Sequence, residues 1–166
     1  MKQVPYPTPS GYTSFCDDVR YEITGKVSLI GVYAGAMYVT TPYPVTLPKL
    51  ALRISYNEMP GESTTPVQIR IYLPGNPDDE PFQTIDLPEI FRNPPPQPFP
   101  RPVGEPDTDR LAGMVFHIEL TNIQLIKDGA IRVRAYRGEE KIKLGSLFVQ
   151  SLNQEPTTDN QQTPSE

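Results

Sequence analysis

Tryptophan is absent from this 166-residue chain, and cysteine and histidine occur once each, as Cys16 and His117. A single cysteine forms no internal disulfide, so nothing ties the chain to an oxidising compartment. One histidine and one cysteine do not furnish the three or four protein ligands of a zinc site without borrowing carboxylates. Apolar runs are short, none near the ~18 residues of a membrane-spanning helix. No stretch carries a convincing amphipathic helical stripe, and no Walker-type glycine loop, dinucleotide fingerprint or Ser-His-Asp order appears. The opening MKQVPYPTPSGY lacks the apolar core of a signal peptide, because prolines interrupt it at Pro5, Pro7 and Pro9. These absences lead to the expectation of a cytoplasmic chain with no cofactor and no membrane span.

Proline is what the sequence has in excess: 21 residues, where ordinary usage of ~5% gives about eight. Many fall in RNPPPQPFPRPVGEPDTD, a long loop kept extended because proline fixes φ and removes a backbone donor. The net charge of −5 is also local, since Pro74 to Ala112 holds eight acids against three bases and the remaining residues balance. Nucleic-acid binding needs a positive field over the contact surface, so no such partner is expected.

Three segments alternate apolar and polar residues at period two, the mark of strands with one face buried. They are LALRISY (Leu50 to Tyr56), VQIRIYL (Val67 to Leu73) and IRVRAY (Ile131 to Tyr136). Further strands are expected at 13–17, 27–33, 37–40, 82–87, 114–125 and 141–149. In the 114–125 segment Met114, Phe116, Ile118 and Leu120 share one parity, whereas Ile123 and Leu125 take the other. A change at Thr121-Asn122 predicts a bulge or a passage from one sheet to another. KDGA (127–130) and YRGEEK (136–141) carry turn glycines between apolar runs, which predicts two hairpins and a terminal three-strand meander. LPEIFRN offers at most one helical turn, with Pro88 suited to its first position. The fold class is therefore all-β: a single antiparallel β-sandwich, immunoglobulin-like or C2-like, with a long proline-rich loop. Its expected divisions are a flexible arm at 1–11, a sandwich at 12–152 with the acidic proline-rich loop at 88–112, and a disordered tail at 153–166.

Candidate chemistry centres on FCDDVRYEITGK. Asp17 and Asp18 are neighbours, so within a strand they face opposite sides and do not share a proton. Arg20, Glu22 and Lys26 supply counter-charges, and the favoured reading is acids tying a strand end and turn together. A hydrolase built on Asp17, Asp18, His117 and Glu119 is the competing reading. Cys16 with His117 forms a nucleophile pair only if a third group orients the imidazole, so a buried structural thiol is favoured. His117 and Glu119 share one strand face, which the sequence assigns to a solvated outer surface. The loop acids Asp78, Asp79 and Glu80, and Glu105, Asp107 and Asp109, are oxygen donors of the kind calcium takes, which motivates a C2-like calcium- or anionic-lipid-binding alternative. Pro95 and Pro98 make a PxxP spacing followed by Arg101, a pattern that docks aromatic grooves. Outward Arg53, Arg70, Arg132, Arg134, Lys141 and Lys143 form basic rows, and the two hairpins would bring Arg132 and Arg134 near Lys141 and Lys143. Such rows suit an acidic partner or the chain's own acidic loop.

FCDDVRYEITGKVSLIGVYAGAMYV, LPKLAL and DGAIRVRAYRGEEKIKLGSLFV together resemble an uncharacterised family of small bacterial proteins, a domain of unknown function. The similarity covers roughly residues 13 to 150, and Asp17-Asp18-Val19-Arg20, Gly25-Lys26 and Leu29 to Tyr33 are its most specific pieces. The resemblance implies a bacterial cytoplasmic setting and brings no activity, cofactor or catalytic residue. The expected role is a non-enzymatic interaction or assembly module. Its contacts are expected at Asp17, Asp18, Arg20 and Lys26 and along the proline-rich loop at Pro95, Pro98 and Arg101. Another protein is the expected partner, with a homodimer through exposed edge strands as the variant.

Overall fold

Period-two alternation becomes strand throughout a computed structural model, which describes residues 9–58, 65–88 and 112–152. The strands are β1 (Ser10–Cys16), β2 (Asp18–Tyr21), β3 (Val27–Ile30), β4 (Ala36–Val39), β5 (Val45–Glu58), β6 (Val67–Tyr72), β7 (Gln83–Asp86), β8 (Ala112–Leu125), β9 (Gly129–Arg137) and β10 (Glu140–Ser151). No helix occurs among the described residues, so none is long and apolar enough to cross a membrane. The proline-rich loop with Pro95, Pro98, Arg101, Asp107 and Asp109, most of the LPEIFRN turn, and the tail from residue 153 lie outside the described residues. β1 opens at Ser10, two residues ahead of the expected start of the sandwich at Tyr12.

The strands form three sheets: β1-β5-β8, β4-β10-β9-β6-β7, and the hairpin β2-β3. Pairing is antiparallel except between β4 and β10, which run parallel. Parallel neighbours need a long crossover, and here the chain between them visits both large sheets before returning. Leu50, Leu52, Ile54 and Tyr56 of β5 share one buried cluster with Ile69 and Ile71 of β6, Ile131 and Val133 of β9, and Leu147 and Val149 of β10. The two large sheets thus spend their apolar faces on each other, each buried aliphatic side chain being worth about 1.5–3 kcal/mol.

Two expectations change in detail. The parity switch in β8 is real, but no residue is inserted: Leu47 pairs with Ile123 and Lys49 with Thr121, leaving Pro48 opposite Asn122. Asn122 takes a left-handed φ of 52°, and Pro48 has no N–H to donate, so both strands turn over together at one level. The terminal meander is a correction. β8 pairs with β5 while β9 pairs with β6 and β10, so KDGA carries the chain from one sheet to the other rather than closing a hairpin. Asp128 fixes that crossing, its Oδ1 accepting from the Tyr43 hydroxyl at 2.7 Å and from the Ser151 amide at 2.7 Å. The second turn does close a hairpin, with Gly138 at φ 61° between β9 and β10.

Candidate functional site

The β2-β3 hairpin lies over the outer face of the β1-β5-β8 sheet and seals it with a small second core of Cys16, Val19, Ala51 and Leu29. Turn 22–26 closes the hairpin, the Glu22 amide donating to the Lys26 carbonyl and the Gly25 amide to the Glu22 carbonyl, each at 2.9 Å. Lys26 therefore enters through its backbone. Asp17 sits at the bend between β1 and β2 and accepts from the Tyr33 hydroxyl at 2.5 Å. Burial and that carboxylate push the Tyr33 phenol up to about 12. Asp18 meets Lys49 Nζ at 2.5 Å and Arg20 Nε at 3.3 Å, and the same Lys49 reaches Glu119 at 2.9 Å. Lys49 and then Arg20 hold the Asp18 carboxyl below its usual range. Asp17 and Asp18 are thus separated, and Asp18 and Glu119 are stitched together by one ammonium.

Cys16 and His117 occupy the same outer face, since Cys16 pairs with Ala51 and Arg53 pairs with His117. They take different partners. The fully buried thiol points at the Ala51 carbonyl at 3.6 Å. Burial pushes it above an ordinary thiol, which disfavours the thiolate a nucleophile needs. His117 Nδ1 lies 2.8 Å from the Tyr21 hydroxyl, and the two rings meet edge to face at 5.4 Å. Its Nε2 is buried without a partner among the described residues. The imidazole is therefore oriented by a phenol, and no carboxylate among the described residues hydrogen-bonds it.

Burial and then the neighbouring Arg53 lower the His117 pKa from its ordinary 6.5. The unfolded chain takes up this proton more readily than the folded one, so stability is full above the ordinary value and falls as pH drops below it. Chemical denaturation at pH 7.5 and 5.5 should show wild type weaker at the lower pH, with the difference reduced in His117→Gln. An equal pH response in the variant would assign the loss to other groups.

The opposite side of the molecule carries the other concentration of charge. On the outer face of β6, β9 and β10, Arg70 pairs with Arg134 and Arg134 with Lys143, placing three cations side by side. Neighbouring strands lie about 5 Å apart, so these charges repel unless something shares them. Tyrosines and one acid do part of this. Arg70 lies 4.3 Å above the Tyr136 ring and donates to Gln68 Oε1 at 2.9 Å. Arg132 lies 5.0 Å from the Tyr72 ring and donates to Asp78 Oδ1 at 2.8 Å. Lys141 also donates to Asp78, and it is the main cause holding that carboxyl low. Among the described residues Arg70, Arg134 and Lys143 have no ion-pair partner, and Nε of both Arg70 and Arg134 is buried with no hydrogen-bond partner there.

The sequence anticipated the basic rows and their proximity across the β9-β10 hairpin. Asp78, weighed there as a calcium ligand, is instead bonded to Arg132 and Lys141. No cluster of three or more His, Cys, Asp or Glu side chains suited to a metal occurs among the described residues. Lys49, Tyr21 and Tyr33 went unsingled, because pairing across distant strands is invisible in spacing. Glu58 was missed as well: it is 4% exposed, accepts from the Tyr56 hydroxyl at 3.0 Å and faces Arg137 Nη1 at 3.6 Å. No protein-family model, curated protein or solved structure matches the chain.

Proposed function

We propose that the protein is a non-enzymatic interaction or assembly module: a β-sandwich of immunoglobulin-like or C2-like kind that engages another protein through the outer face of β6, β9 and β10. The observation that carries this reading is the Arg70-Arg134-Lys143 row, in which none of the three cations has an ion pair among the described residues. A like-charged row across adjacent strands costs stability, and a partner that supplies acceptors relieves the cost. The stacked tyrosines keep the guanidinium groups ordered in advance, so less freedom is lost on docking. The cluster of Asp17, Asp18 and Arg20 is read here as stitching, since its carboxylates are engaged by Tyr33 and Lys49. Hydrolysis through His117 finds no support in its neighbours, because a phenol rather than a carboxylate holds the ring.

Affinity capture from an extract of the source cells tests the reading, comparing wild type with Arg134→Glu/Lys143→Glu. An identified protein retained by wild type should be lost about tenfold or more by the variant, with capture weakening as salt rises. Thermal unfolding of the variant should stay near wild type, since partly exposed substitutions usually fall within about 0.5 kcal/mol. Equal recovery by both proteins would remove this face from the binding surface.

A further inference from the structure

We infer that the occupant of the basic face is an acidic peptide segment, and that Asp78, bridging Arg132 and Lys141, is an internal stand-in for one of its carboxylates. The inference rests on the contact face proposed above and adds the chemistry of what that face accepts.

Arg132 and Lys141 are not neighbours. Lys141 pairs with Tyr136, four residues along β9 from Arg132, a separation of about 13 Å along the strand. Both side chains nonetheless converge on one carboxylate, and Arg134, lying between them in β9, adds its field to the same group. Asp78 thus draws the cations inward over the centre of the face. Its backbone is held independently of that carboxylate. The Tyr72 hydroxyl donates to the Asp78 carbonyl at 3.1 Å, Arg132 Nη2 to the Asn76 carbonyl at 2.5 Å, and the Leu73 amide to Asn76 Oδ1 at 2.8 Å. The Asp78 side chain is 51% exposed, so it swings away without the connection leaving the sheet. Exposed ion pairs are weakly held. A peptide bringing several carboxylates to Arg70, Arg132, Arg134, Lys141 and Lys143 therefore displaces this single internal one.

Carboxylates rather than nucleic acid fit for two reasons. The tyrosine faces that would stack bases are already used, Tyr136 by Arg70 and Tyr72 by Arg132. The chain also carries a net charge of −5, which opposes a long polyanion beyond the patch itself.

Fluorescence anisotropy at low ionic strength with a short labelled peptide of alternating Glu and Ser provides the test, with labelled oligothymidylate as the competing probe. Asp78→Asn should tighten peptide binding about threefold or more, because it frees Arg132 and Lys141. Asp79→Asn changes the net charge identically without freeing either and should shift affinity less than about twofold. Arg134→Gln should weaken binding about tenfold. If Arg134→Gln weakens binding but Asp78→Asn does not tighten it, or Asp79→Asn tightens it equally, the stand-in role is overturned while the contact face stands. Absence of peptide binding, or tighter binding of oligothymidylate, overturns the acidic occupant, and the capture experiment then decides the face separately.

Discussion

Replacing Leu52 by alanine is expected to lower the free energy of unfolding by about 2–5 kcal/mol. Leu52 is fully buried in the centre of β5, paired with Phe15 on one side and Ile118 on the other. Its side chain belongs to the cluster both large sheets share, so truncation opens a void that neither sheet closes alone. Arg53, one residue on, points to the opposite face, where its Nη1 donates to the Tyr12 hydroxyl at 2.8 Å. Arg53→Ala should therefore cost less than about 1 kcal/mol. Urea denaturation of the two variants reads the contrast directly. Comparable losses would mean that the alternation along β5 does not sort core from surface.

Gly31→Ala should be damaging although it lies outside that core. Gly31 holds φ at 64°, where alanine is strained by about 1 kcal/mol, and its added Cβ would fall 2.0 Å from Asp17 Oδ2. The carboxylate has little room to retreat, because Tyr33 binds its other oxygen and the Asp17 amide donates to the Ile30 carbonyl at 2.9 Å. Displacing it forfeits a charge-assisted hydrogen bond at a partly exposed site, a further loss of about 1 kcal/mol. A total near 2 kcal/mol is expected, falling toward 1 kcal/mol when Gly31→Ala is measured in an Asp17→Ala background. Strict additivity of the two substitutions would show that the side chains do not meet.

Much of this architecture is legible before any fold is known, and the reason is local. Alternation in β5, β6 and β9 names the inner and outer residues, because side chains on a strand point to opposite faces by geometry alone. Gly138 marks its hairpin for the same kind of reason, a backbone angle that glycine adopts without cost. KDGA shows the limit of this logic. Its residues specify a reversal, but whether the flanking strands pair depends on which sheet has room, and the side chain of Asp128 bonds across to Tyr43 and Ser151 instead. β2 escaped notice because four residues carrying Asp, Arg and Tyr give no periodic signal; only Val19, meeting Cys16, Ala51 and Leu29, makes the strand worth forming.

The candidate site divides along the same line. That Arg132, Arg134, Lys141 and Lys143 share one face followed from strand parity and one turn. That Arg70 completes the row, that Tyr72 is fully buried beneath the connection carrying Asp78, and that Asp78 draws Arg132 and Lys141 together depend on β6 lying beside β9. Asp17 and Asp18 part company for an equally nonlocal reason, since Tyr33 and Lys49 arrive from other elements. The amino-acid order by itself determined which residues face inward, where proline and glycine bend the chain, and that its charge is unevenly spread, because each of these is a matter between near neighbours. Only the tertiary structure decided which strands pair and which charges find partners, because those choices are made between residues far apart in the chain and settled by the space left in one shared core.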